Sequence, residues 1–244
     1  MKKLMRGIRQ FQDTYVPTHR TFLAELAKGQ HPNILFITCS DSRIDPELIT
    51  QADLGELFVI RNAGNIVPPY GSTNGGEGAT IEYALKSLSV SNIIVCGHSS
   101  CGAMKGLLQI GSLEEKMPLV YNWLKHTEAT RQLVEDHYPH LEKPEKLEML
   151  VAENVLTQLE NLRTYPAVRS QLHRGALTLH GWIYRLDSGE ILAYDPNQHG
   201  FTPPFSQINS DTNLAPVDQH LPGTGRLSPH QADRIYRGSA AFSR

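Results

Sequence analysis

The sequence predicts an α/β fold: a mostly parallel β-sheet of about five strands flanked by helices, with an N-terminal helical arm and a poorly ordered C-terminal tail. Short apolar runs of the kind that form buried strands recur over the first 195 residues. Helical patterns separate most of these runs, which is typical of parallel strands joined by right-handed crossovers. Only a turn at 187–189 separates the last two strands, 177–184 and 191–194, so the last strand is predicted to be antiparallel.

The first 30 residues predict a helical arm. Its apolar residues share one face of a helix that Pro17 is expected to end: Leu4, Ile8, Phe11 and Tyr15. A second short helix is predicted over 18–26, with Thr18 as its cap. The spacing leaves open whether this arm lies on its own core or is exchanged with a second subunit.

The central elements follow in chain order. The first three strands are predicted at 34–38, 57–60 and 93–96. Pro46 suits the first turn of a short helix over 47–51. The loop 61–78 is rich in glycine but has no Gly-Lys-Ser/Thr sequence, so a phosphate-binding loop is not expected. Further helices are predicted over 81–88, 101–108, 119–133, 147–162 and 166–172.

The character of the sequence changes after residue 195. A folded domain is predicted over 1–195, followed by a linker over 196–226 where proline and glycine interrupt any periodicity. The terminal segment 227–244 has a helix-capping Ser228, Pro229 at the first helical position and Gly238 beyond the end. This segment is either a frayed helix on the domain or a peptide that becomes ordered on a partner, and the preceding linker favours the partner.

Composition excludes some classes of function. The formal net charge is −2, from 23 basic and 25 acidic residues, which argues against a nucleic-acid or membrane-surface binder. The N-terminus lacks the apolar run of a secretory signal, so an intracellular protein is expected. Three cysteines cannot build a disulfide framework, and metal binding or catalysis is the expected role for thiols inside a cell.

Two polar clusters directly follow predicted strands. The first follows the apolar run 34–37 and the second follows the run 93–95: Cys39-Ser40-Asp41-Ser42-Arg43 and Cys96-Gly97-His98-Ser99-Ser100-Cys101-Gly102. In an open α/β sheet, the carboxyl ends of the strands face the ligand crevice. The two clusters are therefore candidates for a single site.

Cys39, His98 and Cys101 offer two thiolates and one imidazole, which is a three-ligand zinc set. Cys96 is a possible fourth ligand by position, but its place inside an apolar run favours a core residue. Three protein ligands leave an open position, as in catalytic zinc sites, where the metal lowers the pKa of water to about 7.

Asp41 and Arg43 stand beside the first of these cysteines. A carboxylate paired with an arginine stays ionised and oriented. Asp41 could accept a hydrogen bond from the attacking nucleophile, or bind the metal and close the site, or form a structural salt bridge. The neighbouring Cys39 favours a functional role over the salt bridge.

These clusters together resemble the motifs of the β-class carbonic anhydrases, and the runs 61–65 and 82–84 match that family as well. The resemblance covers about 7–195, which would be the catalytic domain. It implies zinc-dependent, reversible hydration of carbon dioxide to bicarbonate and a proton, by attack of hydroxide at zinc. It further implies one zinc ion per chain on Cys39, His98 and Cys101, with Asp41 and Arg43 as the catalytic dyad.

The resemblance to the plant-type branch also implies a substrate pocket. Gln30, Phe58, Ala63 and Tyr83 match its substrate-contacting positions, and Gly102 matches a backbone amide near the reacting group. In that branch the pocket lies at a dimer interface. A homodimer or a larger dimer-based oligomer is therefore expected, with Gln30 facing the zinc site of the neighbouring subunit.

One departure from other family members predicts an open zinc site. Some bacterial members form a regulatory bicarbonate pocket with a Trp three residues before the first ligand Cys and a Gly directly before it. Here these positions hold Phe36 and Thr38. We therefore expect no such pocket and a metal that Asp41 does not close off.

The runs 121–131, 179–185 and 234–239 resemble the cyanobacterial carboxysomal branch of the family. That branch has a C-terminal extension that recruits the enzyme to a scaffold protein of the carboxysome shell. The resemblance implies a cytoplasmic protein inside the carboxysome, where it would supply carbon dioxide to the carbon-fixing enzyme. No nucleic-acid or membrane partner is expected.

Three other functions fit this sequence less well. A non-catalytic scaffold component of the same fold would need neither Asp41 nor Arg43 nor Gln30. A zinc hydrolase acting on carbon disulfide or esters would use the same open site. A thiol-redox enzyme using Cys96 and Cys101 is disfavoured, because the two lack Cys-x-x-Cys spacing.

Overall fold

The computed structural model describes residues 1–72 and 75–204. The predicted peptide 227–244, and the linker from residue 205 on, lie outside the described residues. In the described part of the chain, six strands form one sheet in the order β2-β1-β3-β4-β5-β6. The pairs among β1 to β4 are parallel, and β5 and β6 are antiparallel. The strands are β1 Ile34–Cys39, β2 Leu57–Asn62, β3 Asn92–His98, β4 Thr178–Tyr184, β5 Ile191–Asp195 and β6 Gly200–Thr202.

Helices connect the parallel strands and form the arm. The α-helices are α1 Lys2–Gln10, α2 Val16–Thr18, α3 Arg20–Leu26, α4 Pro46–Thr50, α5 Gly76–Lys86, α6 Gly102–Leu107, α7 Pro118–Leu124, α8 Glu128–His137, α9 Lys143–Thr164 and α10 Pro166–His173. A π-helical turn at Phe11–Tyr15 and 3₁₀ turns at Ile110–Leu113 and Lys125–Thr127 complete the set. The mostly parallel sheet with its antiparallel end confirms the predicted fold class.

The prediction that Pro17 ends the first helix was wrong. The chain remains helical from α1 through the π-helical turn into α2, and the break comes at His19. Proline disrupts a helix because it lacks an N–H and its ring crowds the preceding turn. Here the wider π-helical turn precedes Pro17 and gives its ring room. The Thr18 hydroxyl donates to the nearby carbonyls of Thr14 and Tyr15.

The sixth strand lies in the segment that the sequence analysis assigned to the linker. β6 pairs with β5, and the ring of its single large apolar residue, Phe201, packs edge-on against Tyr194 at 5.4 Å. Three residues are too few to give a recognisable alternation, and Pro203 follows directly. The folded domain therefore extends beyond residue 195.

The helical arm is packed little within one chain. No residue of α1, α2, α3 or the π-helical turn is buried, and Leu4, Ile8 and Phe11 are each about half exposed or more. The arm therefore buries no side chain in its own core, which argues against the first of the two alternatives. Among the described helices, none combines the length and the apolar character needed to cross a bilayer.

The main core lies between the sheet and α9. Leu35, Ile37, Ile93 and Val95 of the central strands are fully buried in the same cluster as the apolar side chains of α9. Two strand glycines allow this helix to approach closely. A Cβ atom on Gly97 would lie 2.8 Å from a methyl carbon of Val155, and one on Gly181 would lie 2.9 Å from the other.

This close approach predicts the effect of adding one methyl group. In Gly181→Ala, the new Cβ must displace Val155 and Leu159, so the free energy of unfolding should fall by about 2 kcal/mol. Gly111→Ala is the matched control, because its Cβ would meet no atom within 4 Å. Urea unfolding measures both. Equal stability of the two variants would contradict the packing described here.

One carboxylate, Glu153, is buried in the middle of α9. Its residue surface is 4% exposed, and the Tyr138 hydroxyl donates to its Oε1 atom over 3.4 Å. Burial raises the pKa of Glu153 to about 7, because the charged form loses its hydration. In the unfolded chain the carboxyl returns to its ordinary pKa near 4.5.

The shift at Glu153 predicts a pH dependence of stability. Between about pH 4.5 and 7 the unfolded chain releases this proton while the folded chain keeps it, so stability falls as the pH rises. The loss from this residue amounts to about 3 kcal/mol above pH 7. Glu153→Gln should abolish this loss of stability, whereas Glu115→Gln, at an exposed position, should leave it unchanged. Urea unfolding at pH 5 and 8 tests this, and an unchanged pH slope in Glu153→Gln would refute it.

Candidate metal centre

The pairing of β1 with β3 unites the two polar clusters. The strands are adjacent and parallel, with Thr38 opposite Cys96, so both chains leave the sheet at the same edge. Cys39 ends β1, His98 ends β3, and Cys101 precedes α6. Their sulfur and ring nitrogen atoms all lie within 4.8 Å of one another, and the three residues are 5%, 0% and 1% exposed.

The imidazole of His98 is oriented as a ligand. Its Nδ1 atom lies 2.9 Å from the Ser99 carbonyl oxygen, which fixes the proton on Nδ1 and leaves a lone pair on Nε2. Within the described part of the chain, the buried Nε2 atom has no hydrogen-bond partner. An unprotonated nitrogen beside two sulfurs is the arrangement that a metal ligand requires.

The two thiols share one proton. A hydrogen bond from the Cys101 thiol, together with one from the Gly64 N–H, holds the pKa of Cys39 well below its usual range despite burial. The Cys39 thiolate and burial in turn raise the pKa of Cys101. A divalent cation would displace this remaining proton. The donor set fits zinc, which takes sulfur and nitrogen ligands in a tetrahedron.

Cys96 lies outside this group. It is fully buried in a small cluster with Phe36 and Ile94 on the other face of the sheet. Burial raises the pKa of its thiol to about 12, so it remains protonated. This placement agrees with the prediction of a core residue.

Asp41 and Arg43 form a bidentate ion pair beside the group of Cys39, His98 and Cys101. Arg43 donates from its backbone N and Nε to Oδ1 of Asp41, over 3.0 and 2.9 Å, and from Nη2 to Oδ2 over 2.7 Å. The guanidinium holds the pKa of Asp41 well below its usual range. Oδ2 of Asp41 lies 3.9 Å from Nε2 of His98, so the carboxylate adjoins the cluster.

Arg61, for which no role was predicted from the sequence, holds the backbone of the loop that carries Asp41. Its guanidinium donates from Nε to the Cys39 carbonyl over 3.1 Å and from Nη2 to the Asp41 carbonyl over 2.7 Å. Arg61 is the partner of Thr38 in the β1–β2 register. The sequence feature that could have identified Arg61 is its position, since it is a charged residue at the carboxyl end of a neighbouring parallel strand.

The five predicted substrate residues divide into two groups. Ala63 precedes Gly64, whose N–H lies 3.4 Å from the Cys39 sulfur, and Gly102 directly follows Cys101. Gln30 is exposed before the start of β1, at the edge of the sheet opposite to Cys39. The rings of Phe58 and Tyr83 lie 6.0 Å apart, with Phe58 opposite Leu35 in the register. A single chain does not bring the two groups together.

Comparisons with known proteins agree with this geometry. A family model described as carbonic anhydrase matches residues 34–191. A carbonic anhydrase of Synechocystis sp. is 54% identical over 98% of this chain and its own full length.

Two solved structures are similar to this fold. That of the β-carbonic anhydrase CcaA is 63% identical, with a TM-score of 0.83, over 84% of this chain and 99% of its own. One of two tetrameric β-carbonic anhydrases from the ascomycete Sordaria macrospora is 28% identical, with a TM-score of 0.70, over 79% of this chain and 95% of its own.

The buried Cys-His-Cys group, the sheet that assembles it and these similarities lead to one conclusion. The chain belongs to the carbonic anhydrase family, as a β-class, zinc-dependent lyase of the cyanobacterial type.

Proposed function

We propose that this chain hydrates carbon dioxide at a zinc ion held by Cys39, His98 and Cys101, as part of a dimer-based oligomer recruited to carboxysomes. The observation that carries the catalytic part is the buried group of two sulfurs and one imidazole nitrogen. Asp41 and Arg43 are its proposed catalytic residues. A purely structural metal site would have no use for a carboxylate fixed at its border.

Bound zinc would supply a Lewis acid that makes hydroxide available at neutral pH. Asp41 then serves as a hydrogen-bond acceptor, because its low pKa keeps it ionised. Among the described hydrogen bonds, Oδ2 accepts one, from Arg43, and retains a lone pair toward the His98 side. Arg43 fixes the plane of this carboxylate, so Asp41 orients the nucleophile toward carbon dioxide. The backbone N–H of Gly102 is the proposed second contact.

We also propose that Asp41 leaves the metal open to water. Its Oδ1 atom already accepts two hydrogen bonds from Arg43, and the carboxylate is not part of the ligand group. Phe36 and Thr38 are fully buried, with Thr38 donating to the Cys96 carbonyl. These side chains fill the positions that form a regulatory bicarbonate pocket in other members.

A second copy of the chain would complete the substrate pocket. Gln30 precedes the first residue of β1, and Cys39 is the last residue of that strand. The length of the strand alone separates them by about 17 Å. The exposed apolar arm offers a surface for exchange between subunits. The similarity to a tetrameric relative supports an assembly built from such dimers. Gln30, Phe58 and Tyr83 of one subunit would then face the zinc site of the other.

The carboxysome role rests on sequence resemblance. The run 234–239 resembles the tail of carboxysomal members, and the chain is similar over almost its full length to a cyanobacterial enzyme. In this proposal, 227–244 binds a scaffold protein of the shell and takes no part in catalysis. The enzyme would convert bicarbonate to carbon dioxide beside the carbon-fixing enzyme.

Asp41→Asn tests the catalytic proposal. The amide keeps the shape but loses the ionised acceptor, so the hydration rate should fall by about 100- to 1,000-fold. Stopped-flow hydration measures this, beside metal analysis to confirm about one zinc per chain. Asp53→Asn, at an exposed position, is the control and should keep full activity. Full activity in Asp41→Asn would exclude the role, and loss of zinc would make Asp41 a ligand instead.

Removal of 227–244 tests the recruitment proposal. The shortened chain should hydrate carbon dioxide at the original rate, because no proposed site residue lies in that segment. It should no longer be retained by an immobilised carboxysome scaffold protein. A chain whose last 18 residues are scrambled keeps the composition and controls for charge alone. Retention of the shortened chain by the scaffold would overturn this part of the proposal.

A further inference from the structure

The peptide group between Ala63 and Gly64 contacts the Cys39 sulfur. The Gly64 N–H points at this atom over 3.4 Å, and both residues are buried. Gly64 has a φ of +83°, and a Cβ atom there would lie 2.9 Å from Met104 and 3.0 Å from Ala103. Only glycine tolerates both the backbone conformation and the space. The loop is therefore built to present this N–H to the sulfur.

The other end of the same peptide is held by a tryptophan. The indole Nε1 of Trp123, on α7, donates to the Ala63 carbonyl over 2.8 Å. The Ala63 carbonyl and the Gly64 N–H belong to one planar group, so they cannot turn independently. The result is a continuous chain of hydrogen bonds from the indole through the peptide to the sulfur. Each bond in such a chain polarises the next by an estimated 10–30%.

The following peptide is held by α9. Asn154, which is buried, donates from Nδ2 to the Gly64 carbonyl over 3.0 Å. Its Oδ1 atom accepts from Thr127 and Gln158, so the amide cannot flip. Gln158 also accepts from the Val67 N–H over 2.9 Å. Gly64 is thus fixed on both sides, by α7 through Trp123 and by α9 through Asn154.

We propose that Trp123 is a positioning residue for the Cys39 ligand, acting through the Ala63–Gly64 peptide. Its indole N–H fixes the direction of the Gly64 N–H and polarises it. The Gly64 N–H then withdraws electron density from the Cys39 sulfur, which weakens the thiolate as a donor to the metal. The inference deepens the proposed function, because it rests on Cys39 as a metal ligand. A tryptophan that served only for packing would have no need of its indole N–H.

Trp123→Phe removes this N–H and keeps an aromatic ring. We expect zinc to pass to a chelator about tenfold faster, because the Ala63–Gly64 peptide no longer fixes the position of the sulfur and this loss outweighs the stronger donation of the thiolate. In the cobalt-loaded protein, the sulfur-to-cobalt charge-transfer band should move to lower energy, because a less hydrogen-bonded thiolate is a stronger donor. The chain offers one matched control, Trp182→Phe. Trp182 packs against Phe36 on the other face of the sheet, and neither change is expected in this variant.

An unchanged band and release rate in Trp123→Phe would overturn the inference. Equal changes in both tryptophan variants would also overturn it, since they would report a general loss of packing. Thermal unfolding of both variants shows whether their stabilities are comparable. If the cobalt-loaded parent protein shows no sulfur-to-cobalt band, the metal role of Cys39 itself fails. That result is distinguishable from failure of the Trp123 inference, which requires the band in the parent.

Discussion

The parallel pairing of β1 with β3 is the interaction on which the site depends. Fifty-nine positions of chain separate Cys39 from His98, and the register of these two strands places them at the same edge. Their side chains on one face belong to the main core, so a slip of one residue would move Leu35 and Ile37 out of this core to the other face of the sheet. Burial of the core therefore fixes the positions of the ligands as well.

α9 connects this core to the loop beside the metal ligands. Its apolar side packs on β3 and β4, where Gly97 and Gly181 leave room for Val155. Its polar residues Asn154 and Gln158 hold the backbone around Gly64 and Val67. One helix thus fixes both the sheet and the N–H that faces the Cys39 sulfur. By itself this loop would have little conformational stability, because most of its hydrogen bonds go to side chains of other elements.

The ion pair of Asp41 with Arg43 is a local feature, whereas the substrate pocket is not. Asp41 and Arg43 are two residues apart, so a short turn of the chain brings their side chains into contact. Arg61 holds the backbone of that turn through two hydrogen bonds. Gln30 instead precedes β1, and Phe58, whose ring lies 6.0 Å from that of Tyr83, stands near the start of β2, whereas Cys39 is the last residue of β1. The division explains why one chain holds the metal group and why we propose that a neighbour completes the pocket.

The sequence by itself determined the alternation of strands and helices, the antiparallel end of the sheet and the three residues of the Cys-His-Cys group. Hydrophobic periodicity and the residue types Cys, His and Asp carry this information locally. It could not reveal β6, which is held by pairing with β5, nor the helical continuation through Pro17, which depends on a π-helical turn. Only the tertiary structure decided the roles of Trp123 and Asn154, because each acts through backbone atoms of a distant segment. Backbone atoms are the same in every residue, so no sequence pattern marks these contacts.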